Sequence, residues 1–297
     1  MERIFHYITD REHAGLSVGQ FLRDAGYSRH ILSHLKRTPR GICVGDVPVF
    51  TNRILSAGDH LTILLREETA SEHILPVPMK LSIAYEDEDL LVLSKPADMP
   101  IHPSQGNYEN TLANGVAWYY ASRGESFVYR CINRLDRDTT GLLIIARHML
   151  SAALLSSMLQ RREIRRTYLA LVQGNPPEAG TVDRPIGRVD GSTIERQIDE
   201  EHGERAVTHF KKLAQFPGYA LLELHLETGR THQIRVHMTS LGHPLLGDFL
   251  YNPGCRLMKR QALHASRLEF AHPITGEPLS FEAPLPNDMA LLIHDPS

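Results

Sequence analysis

One short run does more than any other to limit how this chain can fold. It is Leu142-Leu143-Ile144-Ile145-Ala146, five apolar residues opened by Gly141 and closed by Arg147. The run is too short for a buried helix and does not alternate, so it reads as a strand covered on both faces. The polar loop feeding it, Ile132-Asn133-Arg134-Leu135-Asp136-Arg137-Asp138-Thr139-Thr140, is then expected at the sheet's edge. Cations beside Asp136, here Arg134 and Arg137, favour an ionised carboxylate. Such a group at the mouth of an apolar strand suits a nucleophile or a general base. From these residues alone an ion-paired loop aspartate fits too, and it is the commoner arrangement.

With 297 residues, 42% of them hydrophobic, the chain has material for one large domain and one small one. Residues 1–10 are interrupted by Glu2, Arg3, His6 and Asp10, and no run of apolar residues is long enough to span a bilayer. Neither a signal peptide nor a membrane span is expected, and a cytoplasmic location is. Cys43, Cys131 and Cys255 lie far apart, so neither a disulfide framework nor a thiolate zinc site is suggested. The net charge of −3 hides an uneven distribution. Residues 123–166 hold nine arginines against four acids, and residues 23–66 hold seven Lys or Arg against three. Between them residues 67–89 hold seven acids against Lys80. Two basic surfaces joined by an acidic connector would suit a phosphate-rich partner gripped at two places. Ordinary surface patchiness gives the same counts.

The chain opens with two expected helices, one capped by Ser17 with Val18, Phe21, Leu22 and Ala25 at helical spacing, the next capped by Ser28 with Ile31, Leu32 and Leu35. Short strands follow at 42–44, 47–49 and 61–65. Residues 67–78, rich in Glu and Pro, read as an extended linker. Residues 81–85 and 90–93 bracket Glu86-Asp87-Glu88-Asp89, a hairpin with an acidic tip, and Lys95-Pro96 leaves it as an irregular loop. Helices are expected at 111–122 and 149–160, the second followed by Arg161, Arg162, Arg165 and Arg166 where its dipole favours cations. A strand at 167–172 carries Tyr168. Residues 176–203 suggest short hairpins with mobile tips. Strands at 207–216 and 219–226 meet at Pro217-Gly218, and Thr228-Gly229-Arg230-Thr231 then leads into a helix ending at Gly242. A strand pair around Thr275-Gly276 and a helix at 286–293 close the chain.

The run Asn133 to Leu143 resembles the central motif of the RluA-type RNA pseudouridine synthases, whose aspartate, here Asp136, is catalytic. The family's commonest form has His and Ser where this chain has Asn133 and Thr140, exchanges that keep hydrogen-bonding capacity. Residues 85–103 resemble the family's first conserved segment, residues 228–248 its third motif, and residues 264–273 a further stretch. The third motif places the HQIR arginine, here Arg235, against the catalytic aspartate. Two histidines five apart, His232 and His237, do not share a helix face, so a metal site is not expected there. Tyr168 corresponds to the active-site tyrosine that packs against the target base, although a strand tyrosine also suits the core. Arg134 corresponds to an arginine that helps displace the base, although a surface arginine touching only phosphate fits its position as well. Arg137, Arg230, His232 and Gln233 complete the substrate-binding candidates.

The helix-pair-then-hairpin order at the start resembles the small RNA-binding domain typified by the ribosomal small-subunit protein S-four. The resemblances imply an α+β chain: a small RNA-binding domain at 1–68, a linker at 69–79, and a catalytic domain at 80–297 with a mixed, mostly antiparallel central sheet flanked by helices. They imply isomerisation of uridine to pseudouridine in structured RNA, ribosomal or transfer, with no cofactor, no membrane and no obligate protein partner. Two other readings stay open on the residues. One is an RNA-binding protein with an inactive synthase domain, and the other a hydrolase pairing Asp136 with Asp138.

Overall fold

The structure, a computed structural model, describes residues 1–71 and 73–294. It contains two main sheets, each built around a run whose alternate or continuous apolar residues need cover. The first comprises β1 (Glu2–Ile8), β2 (Ile42–Val44), β3 (Val47–Pro48) and β4 (His60–Arg66), in the order β1-β4-β2-β3. Helices α1 (Val18–Asp24) and α2 (Arg29–Leu35) lie with it. Ser17 and Ser28 cap them, their hydroxyls accepting from the N–H groups of Gln20 and Ile31. Val18, Leu22, Ile31 and Leu35 of the helices share one core with Phe5, Leu61, Ile63 and Leu65 of the strands.

The remaining elements follow in chain order. They are β5 (Ile83–Glu86), β6 (Leu90–Lys95), α3 (Leu112–Ala121), β7 (Thr140–Ala146), α4 (Met149–Gln160), β8 (Arg165–Gln173), β9 (Ala179–Asp183), β10 (Ile186–Arg188), β11 (Arg196–Ile198), β12 (Val207–Phe216), β13 (Tyr219–Leu226), α5 (Gln233–Ser240), β14 (Leu263–Ala271), β15 (Pro278–Glu282) and α6 (Asn287–His294). The large sheet runs β5-β6-β7-β14-β8-β13-β12-β9, with β15 beside β14, and β10 pairs β11 separately. Among the described residues only β7 and β14 pair in parallel, so the sheet is mixed and mostly antiparallel, and with its helices the chain is α+β. No helix among the described residues is long and apolar enough to cross a membrane.

β7 is buried along its whole length, as its sequence requires. Leu143 and Ile145 face a layer with Leu112, Val116 and Ile234, while Leu142 and Ile144 face one with Leu155 and Met158. The polar loop before it does not lie at an edge of the sheet. β7 pairs β6 on one side and β14 on the other, so the loop leaves the end of an interior strand. Asn133 ties it down, its Oδ1 accepting from Ile144 N at 2.8 Å.

Several sequence expectations change in the structure. β1 went unread because its apolar residues fall on both parities: Phe5 is buried while Ile4 and Ile8 are exposed. The stretch read as a linker has no helix or strand among its described residues and is tied down at points. Glu67 pairs with Arg130, and Asn114 of α3 donates from Nδ2 to Leu75 O at 2.8 Å. The acidic hairpin tip finds partners from distant segments. Asp89 accepts from Arg3 Nε and His148 Nε2, both at 2.8 Å, and Asp87 from His272 Nε2 at 2.9 Å. Burial pushes the Asp89 carboxyl up, but the His148 and Arg3 hydrogen bonds and charges outweigh it and hold it well below the usual range. Of the four arginines assigned to the end of a helix, Arg165 and Arg166 belong to β8.

Asp87, Asp89 and His272 bring three potential metal-ligand atoms together. Their donors are already committed: His272 Nδ1 accepts from Thr275 N at 3.0 Å while its Nε2 serves Asp87. The cluster is an ion network joining β1 to the large sheet, reinforced where Leu150 of α4 enters the core of the first sheet.

The parallel contact of β7 with β14 requires Gly141. Its φ is +106°, and a Cβ there would lie 2.1 Å from Ala265 O. Gly141→Ala is therefore expected to cost at least about 3 kcal/mol, read as a lower urea midpoint at constant m value. Gly106, with φ +81° and nothing within 4 Å of the added methyl, should lose only about 1 kcal/mol as alanine.

Candidate active site

The loop before β7, the strands β8 and β13, and the start of α5 converge on a small pocket open to solvent. Its lining includes Arg134, Asp136, Tyr168, Arg230, His232 and Arg235. Segments separated by almost a hundred residues thus meet at one carboxylate.

Arg235 is the centre of the arrangement. Its side chain is 2% exposed, and its Nε and Nη2 donate to Asp248 Oδ2 and Oδ1 at 2.7 and 2.8 Å. Nη1 is left to reach Asp136 Oδ2 at 3.2 Å. Burial alone would depress the Arg235 pKa, but the hydrogen bonds and charges of Asp248 and Asp136 raise it. Asp248 is fully buried, and its Oδ1 also accepts from the N–H groups of Leu250 and Tyr251. Its oxygens are thereby satisfied inside the protein, so one carboxylate anchors the arginine and the other, Asp136, faces the pocket with a quarter of its side chain exposed.

The start of α5 is shaped by side chains rather than by its N-cap. His232 takes the left-handed conformation with φ 58°, and makes no capping bond. Gln233 replaces it, its Oε1 accepting from Arg230 N at 3.0 Å and from Thr228 Oγ1 at 2.7 Å. Gln233 Nε2 donates to Val207 O and Thr208 Oγ1. All its polar atoms are spent on the protein, so the geometry makes Gln233 a brace for the loop and brings no free group of it to a substrate. His232 lies in the pocket wall with Nε2 4.0 Å from Asp136 Oδ2 and Nδ1 3.0 Å from Tyr251 Oη. Burial pushes its pKa down, which favours the neutral ring beside Arg235.

Tyr168 points from β8 into the layer beside Asp136, and burial raises its phenol pKa. Arg134 makes only a 3.5 Å contact with Thr231 Oγ1 and lines the pocket mouth. Arg230 lines it too, held by Glu204. Arg137 is placed elsewhere. It pairs with Asp98, Nε to Oδ1 at 2.7 Å, and lies outside the pocket, so the cation beside Asp136 is Arg235 and neither loop arginine. Asp138 also turns away, accepting from Asp98 N at 3.2 Å, which removes the paired-carboxylate arrangement a hydrolase would need.

Three contributors were not singled out from the sequence. Asp248 stood at the end of a recognised segment without a role, because nothing local reveals that it meets an arginine thirteen residues away. Lys95 was read only as the exit from a hairpin. It is 1% exposed, its Nζ donating to Pro96 O and Arg137 O at 2.7 Å each, so it pins the Asp136 loop against the end of β6. Burial pushes its pKa down to about 7, with Asp138 and Asp136 opposing. Arg166, which the sequence shows only as one of the cations after a helix, lines a hollow next to that pocket.

Residues 89–240 match the family model described as RNA pseudouridylate synthase. An uncharacterized RNA pseudouridine synthase of Bacillus subtilis (strain 168), YhcT, is 44% identical over 251 residues, covering 84% of this chain and 82% of its own. The ribosomal large subunit pseudouridine synthase D of Zymomonas mobilis is 42% identical over 237 residues, 74% of each chain. Among solved structures, human RNA pseudouridylate synthase domain containing 1 superposes with a TM-score of 0.57 at 27% identity, over 73% of this chain and 86% of that one. With a carboxylate held by a buried arginine at the mouth of an interior strand, these matches make this chain a pseudouridine synthase of the RluA type, a member of the RNA pseudouridylate synthase family.

Proposed function

We propose that this enzyme isomerises uridine within ribosomal RNA, with Asp136 as the catalytic group. The carrying observation is that Asp136 is the carboxylate in the pocket that a buried, doubly engaged Arg235 holds in place. The substrate reading is supported by relatives named as large-subunit ribosomal synthases; transfer RNA would meet the same chemistry. Action on ribosomal RNA fits a cytoplasmic site of work.

The reaction requires the N1–C1′ bond of uridine to break, the base to turn, and C5 to bond to C1′, with one proton lost from C5 and one gained at N1. No atom or electron is left over, so the balance calls for no co-reactant. Asp136 supplies the step by attacking sugar or base or by taking the proton. Asp136 is recessed in its pocket with a quarter of its side chain exposed, so a uridine reaches it only after leaving its helix or loop, at a cost of a few kcal/mol. Stacking on Tyr168 offsets part of that cost, and Arg134 at the mouth is placed to fill the vacated position. Arg230 and His232 complete the walls.

The first sheet and its helices serve as a grip on RNA. Arg29, Lys36, Arg37 and Arg40 are exposed on and after α2. Because Leu150 and Leu154 of α4 pack into this part of the chain, removing residues 1–68 would bare an apolar helix face, and charge reversal is the cleaner test. A Lys36→Glu, Arg37→Glu double variant should bind RNA more weakly and lose about 0.7–0.9 of the logarithmic salt slope per phosphate contact removed, with kcat at saturating RNA retained. Equal affinity and equal slope would make this part of the chain purely structural.

Asp136→Asn keeps shape and removes charge, so pseudouridine formation should fall below a tenth of wild type, roughly 1.4 kcal/mol of barrier. Asp138→Asn should be far milder, and equal losses at the two positions would remove Asp136 from its role. Asp248→Asn should leave RNA binding intact while lowering kcat by about tenfold to a hundredfold, since Arg235 then lacks its anchor and Asp136 shifts with it. Mass-spectrometric pseudouridine counting and filter binding on the same preparations read both quantities.

A further inference from the structure

Arg134, Tyr168, Leu226 and Arg230 line both the Asp136 pocket and a neighbouring hollow of about 450 Å³. Four arginines border that hollow, Arg134, Arg162, Arg166 and Arg230, against the single carboxylate Glu227. Two of the four are committed. Arg162 binds Glu227 at 2.6 Å, which His209 also contacts at 2.9 Å, and Arg230 binds Glu204. Arg134 and Arg166 have no carboxylate at ion-pair distance among the described residues.

Arg166 is the unusual member of this pair because it is buried. It is 8% exposed, its Nε has no hydrogen-bond partner, and Nη2 makes a long 3.3 Å bond to Thr228 O. A buried guanidinium normally has its donors filled. Beside it stands Gly229, whose backbone is not in the left-handed region and whose glycine is therefore not required by the turn. A Cβ there would sit 3.2 Å from Arg166 Nη1. Glycine keeps that edge of the guanidinium open.

We propose that Arg166, with the open edge at Gly229, seats a phosphodiester adjoining the target uridine. This rests on the functional reading above, which puts a ribose at Asp136 and so must lead its phosphates out along the same wall. Two donors of a planar guanidinium match two phosphate oxygens, and the hollow's unpaired charge is positive where the backbone charge is negative. The seat fixes the register of the strand while the Asp136 pocket selects the base.

The test uses binding of oligouridylate as a function of KCl, measured on Asp136→Asn protein so that turnover does not intrude, and alongside it turnover of ribosomal RNA by the wild type. Arg166→Met should raise Kd roughly tenfold and reduce the logarithmic salt slope by about 0.7, one phosphate contact on a single strand. Arg166→Lys should restore the slope with only part of the affinity, and Arg162→Met, whose arginine already serves Glu227, should leave the slope unchanged. Gly229→Ala keeps every charge yet should weaken binding by crowding Nη1, and it carries the test if Arg166→Met does not fold. An unaltered slope in Arg166→Met, or an equal drop in Arg162→Met, overturns the seat. Wild-type protein that isomerises no RNA overturns the functional reading instead, whatever the slopes show.

Discussion

Everything at the site depends on one buried guanidinium shared by two carboxylates. Arg235 alone in the interior would be prohibitively costly, and Asp248 makes it tolerable by accepting two of its hydrogen bonds and taking two backbone N–H groups besides. The third direction of the fork is thereby aimed at Asp136. Because a guanidinium is planar, the position of Asp248 sets the line along which Asp136 is approached. The carboxylate in the pocket inherits its orientation from a residue that lies outside the pocket lining.

The scaffold supplies the rigidity this requires. Lys95 holds the Asp136 loop from below, Asn133 holds it to β7, and Gln233 holds the start of α5 to β12. Each brace is a side chain bonded to a backbone carbonyl or N–H, so the loops are fixed at the main chain while the pocket-facing groups stay available. The ion network of Arg3, Asp89, His148 and His272 does the same on a larger scale, fastening the first strand of the chain to the hairpin next to β7.

Local patterns were easiest to read. The burial of β7, the Ser17 and Ser28 caps, the pairing of β12 with β13 across Pro217-Gly218 and the turn at Gly276 all follow from residues within one or two turns of each other. Charges were hardest, since a charge's meaning lies in what faces it. The loop arginines next to Asp136 in sequence were expected beside its carboxylate; Arg137 went to Asp98, and the cation came from ninety-nine residues further on. The acidic run at the hairpin shows no partner in its own neighbourhood of the sequence, because Arg3, His148 and His272 come from three distant segments. Motif resemblance located Asp136, Tyr168 and Arg235, but it carried no information on Arg166 or Lys95, whose roles depend on burial.

The strand order has a consequence for when the site can exist. β7, which follows Asp136, and β8, which carries Tyr168, are consecutive in the chain yet do not pair, because β14 lies between them. Until residues 263–271 insert, the strand behind the carboxylate loop and the strand of the tyrosine are not joined in one sheet, however well the preceding strands have formed. Such long-range closure makes folding slow relative to synthesis of the segments involved. A nascent chain leaving a ribosome therefore carries the whole of its central motif in an incompetent form, and competence arrives in one late step with the penultimate strand.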